Sequence, residues 1–408
     1  MQLSDVDLAN PDNYHHAGPP YAMFDLLRRE APVYWHHDKE TPGFWALTGH
    51  PEVVQVSKTP QLFSAARRSV FLFESNEEDL ANLQMMLVNR DPPQHTKLRR
   101  MVSLGFTPRR IAMLEDKVRL RAGEIIDRIA LRGECDFVTD LAADLPLQVI
   151  AELVGVPMED RGKVFEWSNK LIGFDDPEYV GDREEQKQTA MEVYLYANQL
   201  AELRRQQPTD DLTSVLVNGE VDGERLNEME FDLFFLLLLV AGNETTRNAI
   251  SGGMLALINH PDQRARLLAD PSLMSTTTEE ILRWVSPVNC FRRTVMQDTT
   301  IGSQAVREGD KVVMFYPAAN RDERVFANPN TFDVGRTPND HLAFGIGTHF
   351  CIGNALARLE IKVMFEELLR RLPDIELAGP VERLRSSFIN GIKRMPVRFT
   401  PESLRRSA

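Results

Sequence analysis

The chain has few cysteines. Its 408 residues include three, Cys135, Cys290 and Cys351, which lie far apart along the sequence. Disulfide frameworks occur mainly in short secreted chains that are dense in cysteine. This spacing therefore argues against such a framework and favours a reducing compartment. Residues 1–7 contain no basic segment and no apolar stretch, so we expect no signal peptide and a cytoplasmic protein.

Long hydrophobic runs are also lacking. The longest run, residues 233–242, is bounded by Asp232 and Asn243 and contains ten residues. A helix needs roughly 20 apolar residues to cross a bilayer. The run is therefore too short for a membrane span, and we expect a soluble protein without a membrane partner.

The chain has fewer basic than acidic residues, with 47 Lys and Arg, 60 Asp and Glu and a net charge of -13. A negative surface repels phosphate, and the sequence has no basic arm or nucleic-acid motif, so we expect no nucleic-acid partner. Linkers, internal repeats and low-complexity tracts are absent as well. Although the length would allow two or three domains, we expect one domain over residues 1–408.

The patterns that are present predict a mainly α-helical fold with minor antiparallel β-sheets. Helical periodicity dominates, and short stretches rich in β-branched and aromatic residues occur near both ends. We expect strands at residues 33–35, 44–47 and 312–316, and a short helix at 51–57.

Two local signals mark a helix start and a turn. Thr107 followed by Pro108 is typical of an N-cap and a first helical residue, so one helix should continue from there to Ile125. Asn390-Gly391 is typical of a tight turn between strands. It predicts a hairpin between residues 388–389 and 395–399.

Residues 227–259 predict one long helix. Asn227 with Glu230 three residues later forms a capping pattern, and Pro261 ends the helix. At 1.5 Å per residue the helix would span about 50 Å. Its interior is unusual, because Ala241-Gly242 and the polar Glu244, Thr245 and Thr246 follow an apolar run. This pattern indicates either a kink with a solvated polar patch or a functional segment.

The most informative stretch is the loop at residues 344–353, in which Cys351 precedes an amphipathic helix with apolar residues at Ile352, Leu356, Leu359 and Val363. We expect the sulfur in the first helical turn, where free N–H groups and the helix dipole favour a thiolate. Gly345, Gly347 and Gly353 lack a Cβ, which allows a sharp bend and the approach of a flat ligand. The alternative is a buried structural cysteine.

This loop resembles the haem-binding signature of the cytochrome P450 family, in the places held by Phe344, Gly347, His349, Cys351 and Gly353. The resemblance implies the cytochrome P450 fold and haem b with Cys351 as the axial thiolate. It also implies a monooxygenase that inserts one oxygen atom of O2 into a hydrophobic small molecule. Three further patterns, in the order of the family, support this interpretation.

The long helix resembles the oxygen-activating helix of the family. By that resemblance Ala241 and Gly242 leave room for O2 above the iron, while Glu244 and Thr245 organise the proton supply. Oxygen activation that releases water needs protons, and a side chain that holds or relays a proton can provide them. Many relatives carry Asp at the position of Glu244.

Glu280 and Arg283 form the third pattern. Alone, an i,i+3 pair is usually a solvated contact on a helix. The resemblance instead implies a buried structural pair that is joined by Arg336.

His95 and Arg99 form the fourth pattern and share one face of a helix. Alone, they would favour solvation at the surface. The resemblance makes them donors to the haem propionates, together with Arg293 and His349, because buried carboxylates need cationic or hydrogen-bonding partners. Arg292 is a competing candidate for the place of Arg293.

The electron source is implied by what is missing. Gly345-Ile346-Gly347 is not a dinucleotide fingerprint, and nothing resembles a flavin domain. We therefore expect a separate ferredoxin and ferredoxin reductase. Four cations would form a basic docking patch for the ferredoxin; the alternative is that they are scattered and solvated. They are Lys97, Arg100, Arg109 and Arg110.

The substrate pocket is expected to be predominantly apolar, and ordinary core is the alternative for each candidate. Sterols, terpenoids and branched lipids are the guessed substrates, from a loose likeness of residues 105–109 and 390–393 to bacterial relatives. Two other functions stay open: a peroxygenase that uses hydrogen peroxide, and a non-catalytic haem sensor or carrier. The pocket candidates are Phe71, Leu72, Phe73, Val240, Val288, Asn289, Phe388 and Ile389.

Overall fold

The computed structural model describes residues 1–38, 42–172, 176–178 and 183–402. The described residues are mostly helical, with small sheets, as the sequence predicts. The helices are α1 (Asp12–His15), α2 (Tyr21–Glu30), α3 (His50–Lys58), α4 (Glu77–Leu83), α5 (Gln94–Ser103), α6 (Pro108–Ala112), α7 (Glu115–Asp127), α8 (Asp144–Val154), α9 (Arg161–Ile172), α10 (Arg183–Gln206), α11 (Leu212–Asn218), α12 (Glu228–Asn259), α13 (Pro261–Ala269), α14 (Met274–Val285), α15 (Tyr316–Ala319) and α16 (Asn354–Arg371).

The strands are short. They are β1 (Val33–His36), β2 (Phe44–Leu47), β3 (Phe63–Ser64), β4 (Glu134–Asp136), β5 (Cys290–Val295), β6 (Thr299–Ile301), β7 (Gln304–Val306), β8 (Lys311–Phe315), β9 (Glu376–Leu377), β10 (Glu382–Arg383), β11 (Ile392–Arg394) and β12 (Pro396–Arg398).

One compact unit comprises Met1–Thr96, Glu279–Cys351 and Arg383–Gly391. Its five-stranded sheet has the order β1-β2-β8-β5-β3. The β2–β8 pair is parallel and the other pairs are antiparallel. Strand β8 is buried along its whole length, because alternate side chains enter two hydrophobic clusters. Val312 and Met314 belong to one cluster and Val313 and Phe315 to the other.

The other compact unit comprises Lys97–Thr278, Ile352–Glu382 and Ile392–Ala408. Its central element is α12, which packs against α8, α9, α10 and α16. A three-stranded antiparallel sheet of order β4-β12-β9 also belongs to this unit. Each unit is assembled from three separate stretches of sequence. The single-domain organisation expected from the sequence stays a prediction.

Most predicted elements are confirmed, including the strands β1, β2 and β8 and the helix α3. The long helix α12 begins after Asn227, whose side chain accepts a hydrogen bond from the amide of Glu230 while the Glu230 side chain accepts from the amide of Asn227. These bonds satisfy donors that a helix N-terminus leaves free. Helix α12 continues unbroken through Gly242. Among the described residues, no helix combines the length and the apolarity that crossing a membrane requires.

Two predicted elements are wrong. The helix that starts after Thr107 ends at Ala112, and a second helix begins at Glu115. The ladder is interrupted because the amide of Leu114 bonds the carbonyl of Ile111, three residues back instead of four. The predicted hairpin does not form either. Neither Asn390 nor Gly391 has a positive φ, which a tight two-residue Asn-Gly turn requires. Ile389 instead bridges to Val288, and β12 pairs with β4 and β9.

Candidate functional site

The loop at residues 344–351 is folded back on itself by backbone hydrogen bonds. The amide of Cys351 donates to the carbonyl of Phe344 at 2.9 Å, and the amide of Phe350 donates to the carbonyl of Gly347 at 3.1 Å. Residues Gly347–His349 form a 3₁₀ turn. Helix α16 begins at Asn354, after Gly353 as its N-cap. The cysteine thus precedes the helix, and the prediction that it lies in the first turn is wrong.

Two glycines of this loop are required by the backbone. Gly345 and Gly347 have φ of +66° and +76°, in the left-handed region that favours glycine. A Cβ on Gly347 would lie 2.6 Å from the carbonyl oxygen of Ser57 at the end of α3. Gly353 differs, because its φ is -82° and a Cβ there would meet nothing within 4 Å. The space beside Gly353 is therefore open, which suits a flat ligand.

The three cysteines have different surroundings. None of the three forms a disulfide. Cys290 is 1% exposed and belongs to a hydrophobic cluster. Burial, reinforced by Asp140 and Asp136, raises the pKa of Cys135 to about 12, so its thiol stays protonated. Cys351 is partly exposed in the glycine-containing loop. It is thus the cysteine that is placed for binding a ligand.

Arg292 and Arg293 point to opposite faces of strand β5. Arg292 donates to the Glu74 carboxylate at 3.0 Å. Arg293 is 5% exposed, and its described hydrogen bond runs from Nη1 to the carbonyl of Arg292 at 2.7 Å. Within the described part of the chain, no carboxylate lies within 4.0 Å of Arg293. Burial lowers the pKa of Arg293, with Tyr316 and Asp91 opposing this. A buried cation of this kind fits an anionic ligand.

The predicted propionate donors His95 and His349 contact each other in the first unit, with ring centroids 4.2 Å apart. His95 lies in the first turn of α5 and is 1% exposed, so it is not solvated at the surface. Arg99 follows four residues later on α5 and is half-buried.

Glu280 and Arg283 are buried rather than solvated, since the exposure of both side chains is 0%. The Glu280 carboxylate accepts from Arg283 at 2.8 Å twice, from Arg336 at 3.0 Å, from the amide of Asp333 at 2.9 Å and from Asn339 at 3.2 Å. Two buried cations thus share one carboxylate. The structure places all three residues of the expected structural pair and its partner in one network.

The middle of α12 has an open strip in the second unit. Ala241 is exposed, and Gly242 and Thr245 are partly exposed, although most of the helix on both sides is buried. The Thr245 hydroxyl donates to the carbonyl of Ala241 at 2.7 Å and keeps its lone pairs as acceptors. Gly242 also serves packing, because a Cβ there would lie 3.2 Å from Cδ1 of Ile150 on α8.

Glu244 is 2% exposed and forms contacts within α12. Its Oε1 accepts from Arg247 in an ion pair and from Asn248 at 2.9 Å. Its Oε2 is buried and has no hydrogen-bond partner among the residues the structure describes. A buried oxygen without a partner is costly, so Oε2 is available to accept from a further donor such as water.

The apolar pocket candidates of the first unit fall into two groups. Phe71 and Phe73 stack with centroids 5.4 Å apart, and Phe71 meets Phe388 edge-on at 5.4 Å. Leu72 and Val288 pack against the hydrophobic clusters, so these two have a core role. Asn289 is 0% exposed and donates to the carbonyl of Ser386, and Ile389 bridges to Val288. In the second unit, Val240 is partly exposed beside Ala241.

Three of the four cations proposed for docking are paired with carboxylates in the second unit. Lys97 pairs with Glu224, Arg100 with Asp222 at 2.7 Å and Arg110 with Asp210 at 2.8 Å. Arg109 is exposed. These ion pairs offset much of the positive charge, and the docking patch stays a prediction.

Comparisons with known proteins agree with this site. A family model described as Cytochrome P450 matches residues 147–373. A steroid C26-monooxygenase of Rhodococcus jostii is 43% identical over 97% of this chain and 85% of its own length. A methyl-branched lipid omega-hydroxylase of Mycobacterium tuberculosis is 44% identical over 92% of this chain and 90% of its own. The chain belongs to the cytochrome P450 family. A cytochrome P450 of Mycobacterium marinum, solved in complex with pseudoionone, superposes with a TM-score of 0.89 at 40% identity and covers 97% of this chain and 98% of its own.

Membership in the family confirms the predicted fold, the enzyme class and the cofactor. This P450 is a monooxygenase that uses O2 and a hydrophobic substrate, with haem held by a cysteine thiolate. The residues present fit that group. In the first unit, Arg293 is a buried cation, whose charge suits an acidic group. In the second unit, a Cβ on Gly353 would meet nothing within 4 Å, and α12 has its open strip at Ala241.

Some residues of the site were missed by sequence reasoning. Arg247 and Asn248 could have been found, because they lie three and four residues after Glu244 on one helix. Glu74 could not, because 218 residues separate it from Arg292. No local pattern reports such a contact.

Proposed function

We propose that this P450 oxidises the terminal carbon of a methyl-branched alkyl chain in a steroid or a lipid. The observation that carries the proposal is the pair of relatives at 43% and 44% identity, named for steroid C26 and for the omega position of methyl-branched lipids. Both positions end a branched chain. The aromatic side chains Phe71, Phe73 and Phe388 support an apolar ligand, since rings of this kind bury large areas of hydrocarbon.

Cys351 is the thiolate ligand in this proposal, and Arg293, His95, Arg99 and His349 bind the haem propionates. Arg293 is buried and has no carboxylate within 4.0 Å among the described residues, which supports its role, because a charged hydrogen bond to a propionate would offset the cost of the buried cation. Phe344, Gly345 and Gly353 shape the loop around the ligand. When bound, the haem supplies the activation of O2 at its iron.

Glu244 and Thr245 deliver protons in this proposal. Thr245 is held by its bond to Ala241, and its lone pairs can accept from a water. Glu244 has one oxygen occupied by Arg247 and Asn248 and one oxygen free of protein partners within the described residues. That arrangement orients the carboxylate and leaves Oε2 to hold a proton or a water. Glu280, Arg283 and Arg336 keep the preceding segment in place and take no part in proton transfer.

Electrons come from a ferredoxin and its reductase in this proposal, and the protein acts in a reducing compartment such as the cytoplasm. The three cysteines, none of which forms a disulfide, support that compartment. Exposed Arg109 and the partly exposed Lys97 remain candidates for the docking surface.

The substrate proposal is tested with the purified holoenzyme and two probes, cholesterol and phytanic acid. We expect at least one to shift the ferric Soret band towards the high-spin position and to be oxidised at its branched end when ferredoxin, reductase and NADH are supplied. Oxidation only at ring or mid-chain carbons would contradict the proposed regiochemistry. Faster turnover with hydrogen peroxide than with the redox proteins would favour the peroxygenase.

The ligand assignment is tested by spectroscopy of the ferrous carbon monoxide complex. Cys351→Ser should lose the red-shifted Soret band of thiolate ligation, while Cys135→Ser should keep it. Retention of that band in Cys351→Ser would exclude Cys351 as the ligand.

A further inference from the structure

Glu74 directly follows Phe71, Leu72 and Phe73 in the sequence. Its carboxylate lies 3.0 Å from Arg292 Nη1 on β5 and 2.6 Å from Lys311 Nζ on β8. The side chains of Arg292 and Lys311 are 4% and 6% exposed, whereas that of Glu74 is 42% exposed. Two buried cations therefore share the single negative charge of one half-exposed carboxylate.

The two cations lie on the same face of the sheet. Arg292 is opposite Val313, and Lys311 is opposite Thr294, in the antiparallel β5–β8 pair. Residues two apart on a strand share a face, so Arg292 and Lys311 are diagonal neighbours. No other carboxylate in the described residues lies within 4.0 Å of either cation.

Opposite charges stabilise the contact of Glu74 with Arg292 and Lys311. Burial lowers the pKa of Arg292 and of Lys311, and Glu74 opposes the effect in both. Burial acts to raise the pKa of Glu74, but its bonds to Lys311 and Arg292 outweigh this and hold that pKa below its usual value. Glu74 is thus ionised at neutral pH. Loss of its charge would leave two buried cations uncompensated, which is strongly unfavourable.

Two hydrogen bonds to backbone carbonyls hold the same segment against the sheet. The amide of Arg292 donates to the carbonyl of Val70 at 2.7 Å, and Lys311 Nζ donates to the carbonyl of Leu72 at 3.4 Å. Leu72 packs against the hydrophobic cluster that contains Val313. The contacts of Val70, Leu72 and Glu74 with β5 and β8 form what we name the Glu74 clamp.

The rings next to the clamp in the sequence contact one another and two further rings. Phe71 and Phe73 lie on either side of Leu72 in the sequence, in a segment whose backbone bends from residue 70 to residue 73. Their rings are stacked at 5.4 Å with an interplanar angle of 6°. Phe71 contacts Phe388 at 5.4 Å, and Phe388 contacts Phe291 at 5.6 Å. We name these four rings the aromatic wall.

We propose that Glu74 is a positioning residue that holds the aromatic wall in the arrangement that selects the apolar substrate and the carbon that is oxidised. The inference rests on the proposed function in one respect, because it takes the aromatic wall to line the substrate site. Glu74 does not touch the substrate. It acts through Phe71 and Phe73.

The test uses the holoenzyme with Glu74→Gln, which keeps the shape of the side chain and removes its charge. The matched control is Glu323→Gln, since Glu323 is 52% exposed and pairs at 3.4 Å with Arg28, whose side chain is 3% exposed. Binding is measured by spectral titration with cholesterol, phytanic acid and 4-phenylimidazole, an aromatic iron ligand that does not depend on the natural substrate. We expect the Kd to rise about tenfold in Glu74→Gln and less than twofold in Glu323→Gln.

Two further readouts separate positioning from general stability. Hydrogen exchange of the Arg292 amide, which bonds Val70, should accelerate in Glu74→Gln, and the product mixture should broaden to carbons away from the branched end. If Glu74→Gln folds poorly, the double variant Glu74→Gln with Lys311→Met removes one uncompensated cation and should recover stability without recovering affinity.

The outcomes are distinct. Unchanged 4-phenylimidazole affinity in Glu74→Gln would overturn the inference, whatever the lipid probes show. Failure of the wild type to bind or oxidise cholesterol and phytanic acid would instead contradict the proposed function, while the 4-phenylimidazole and exchange measurements would still decide the role of Glu74.

Discussion

Arg292 and Arg293 are consecutive residues on one strand, yet only Arg292 has a carboxylate within ion-pair distance in the described structure. Arg292 meets Glu74 at 3.0 Å, whereas Arg293 is 5% exposed and bonds the carbonyl of Arg292. Successive side chains of a strand point to opposite faces, and the two faces of this sheet offer different partners. Arg292 therefore has a structural ion pair, whereas the proposed function gives Arg293 an anionic ligand.

Replacement of Arg293 should affect the haem-free and haem-loaded proteins in opposite directions. Arg293→Met removes a buried cation that has no carboxylate within 4.0 Å in the described ranges of the chain, so we expect the haem-free protein to be as stable as the wild type or more stable. The haem-loaded protein should release haem about tenfold faster, since a charged hydrogen bond contributes about 1.5–3 kcal/mol. Haem transfer to apomyoglobin measures the release, and Arg292→Met is the control that should leave it unchanged. Equal haem release in wild type and Arg293→Met would remove Arg293 from the propionate site.

Thr245→Ala should separate substrate binding from coupling. The Thr245 hydroxyl donates to Ala241 at 2.7 Å on the open strip of α12, and its loss removes an acceptor for water. We expect the substrate Kd to change less than twofold, while product formed per NADH falls several-fold and hydrogen peroxide rises. Thr246→Ala is the control, because Thr246 is 3% exposed and lies outside the strip. Full coupling in Thr245→Ala would exclude the proposed role in proton delivery.

Glu280→Gln should destabilise the fold strongly. Its carboxylate accepts from Arg283 and Arg336, which are both buried, and the change leaves two cations without a full counter-charge. Breaking a buried ion pair costs about 3–5 kcal/mol, and urea unfolding followed by circular dichroism measures it. The neighbouring Glu279→Gln is the control, since Glu279 is 30% exposed and contacts His341, so its loss should cost under about 1 kcal/mol. Similar costs for the two variants would contradict a structural role of the Glu280 network.

Asp232 should make stability fall as pH rises. Burial raises the pKa of Asp232 to about 6, with Asn198 opposing and Glu228 reinforcing the shift. The folded state therefore holds this proton more tightly than the unfolded state, whose carboxyl titrates near 3.8. The protonated carboxyl of Asp232 contributes its full stabilisation of the folded state below pH 3.8, and this stabilisation is lost as pH rises through about 6.

Asp232→Asn should remove this dependence. A shift of this size corresponds to at most about 3 kcal/mol at pH 7, and the variant should be more stable than the wild type at pH 7 by up to that amount. Unfolding of both proteins in urea at pH 5 and pH 8 measures the difference, which should grow with pH. A difference that is constant between the two pH values would contradict the raised pKa.

Local features of the fold were predictable. The cap of α12 at Asn227 and Glu230, the N-cap at Thr107 and the strands β1 and β2 depend on residues that are near in sequence. The failed hairpin has a long-range cause. Asn390-Gly391 is a strong hairpin signal in isolation, but Ile389 finds its partner in Val288, a residue about a hundred positions away. Long-range pairing overrides a turn propensity of this size.

The candidate site was predictable in part. The resemblance placed Cys351, Glu244 and Thr245, since they lie in compact motifs. The ion pairs of Lys97, Arg100 and Arg110 with residues 210–224 were not visible in the sequence, because they join distant segments. The burial of Glu280 and Arg283 could be inferred only from the resemblance, since their spacing alone is typical of a solvated pair.

The amino-acid order alone determined the elements of this protein and the residue types at its chemical positions. Capping, periodicity and the conformational needs of glycine act over a few residues, so they can be read along the chain. The tertiary structure decided which cations have a carboxylate partner. Glu74 pairs with Arg292 and Lys311, and Glu280 pairs with Arg283 and Arg336. Arg293 has no carboxylate partner in the described chain. Burial and counter-charge depend on residues that meet only after folding, and these two quantities distinguish Arg292 from Arg293 on the same strand.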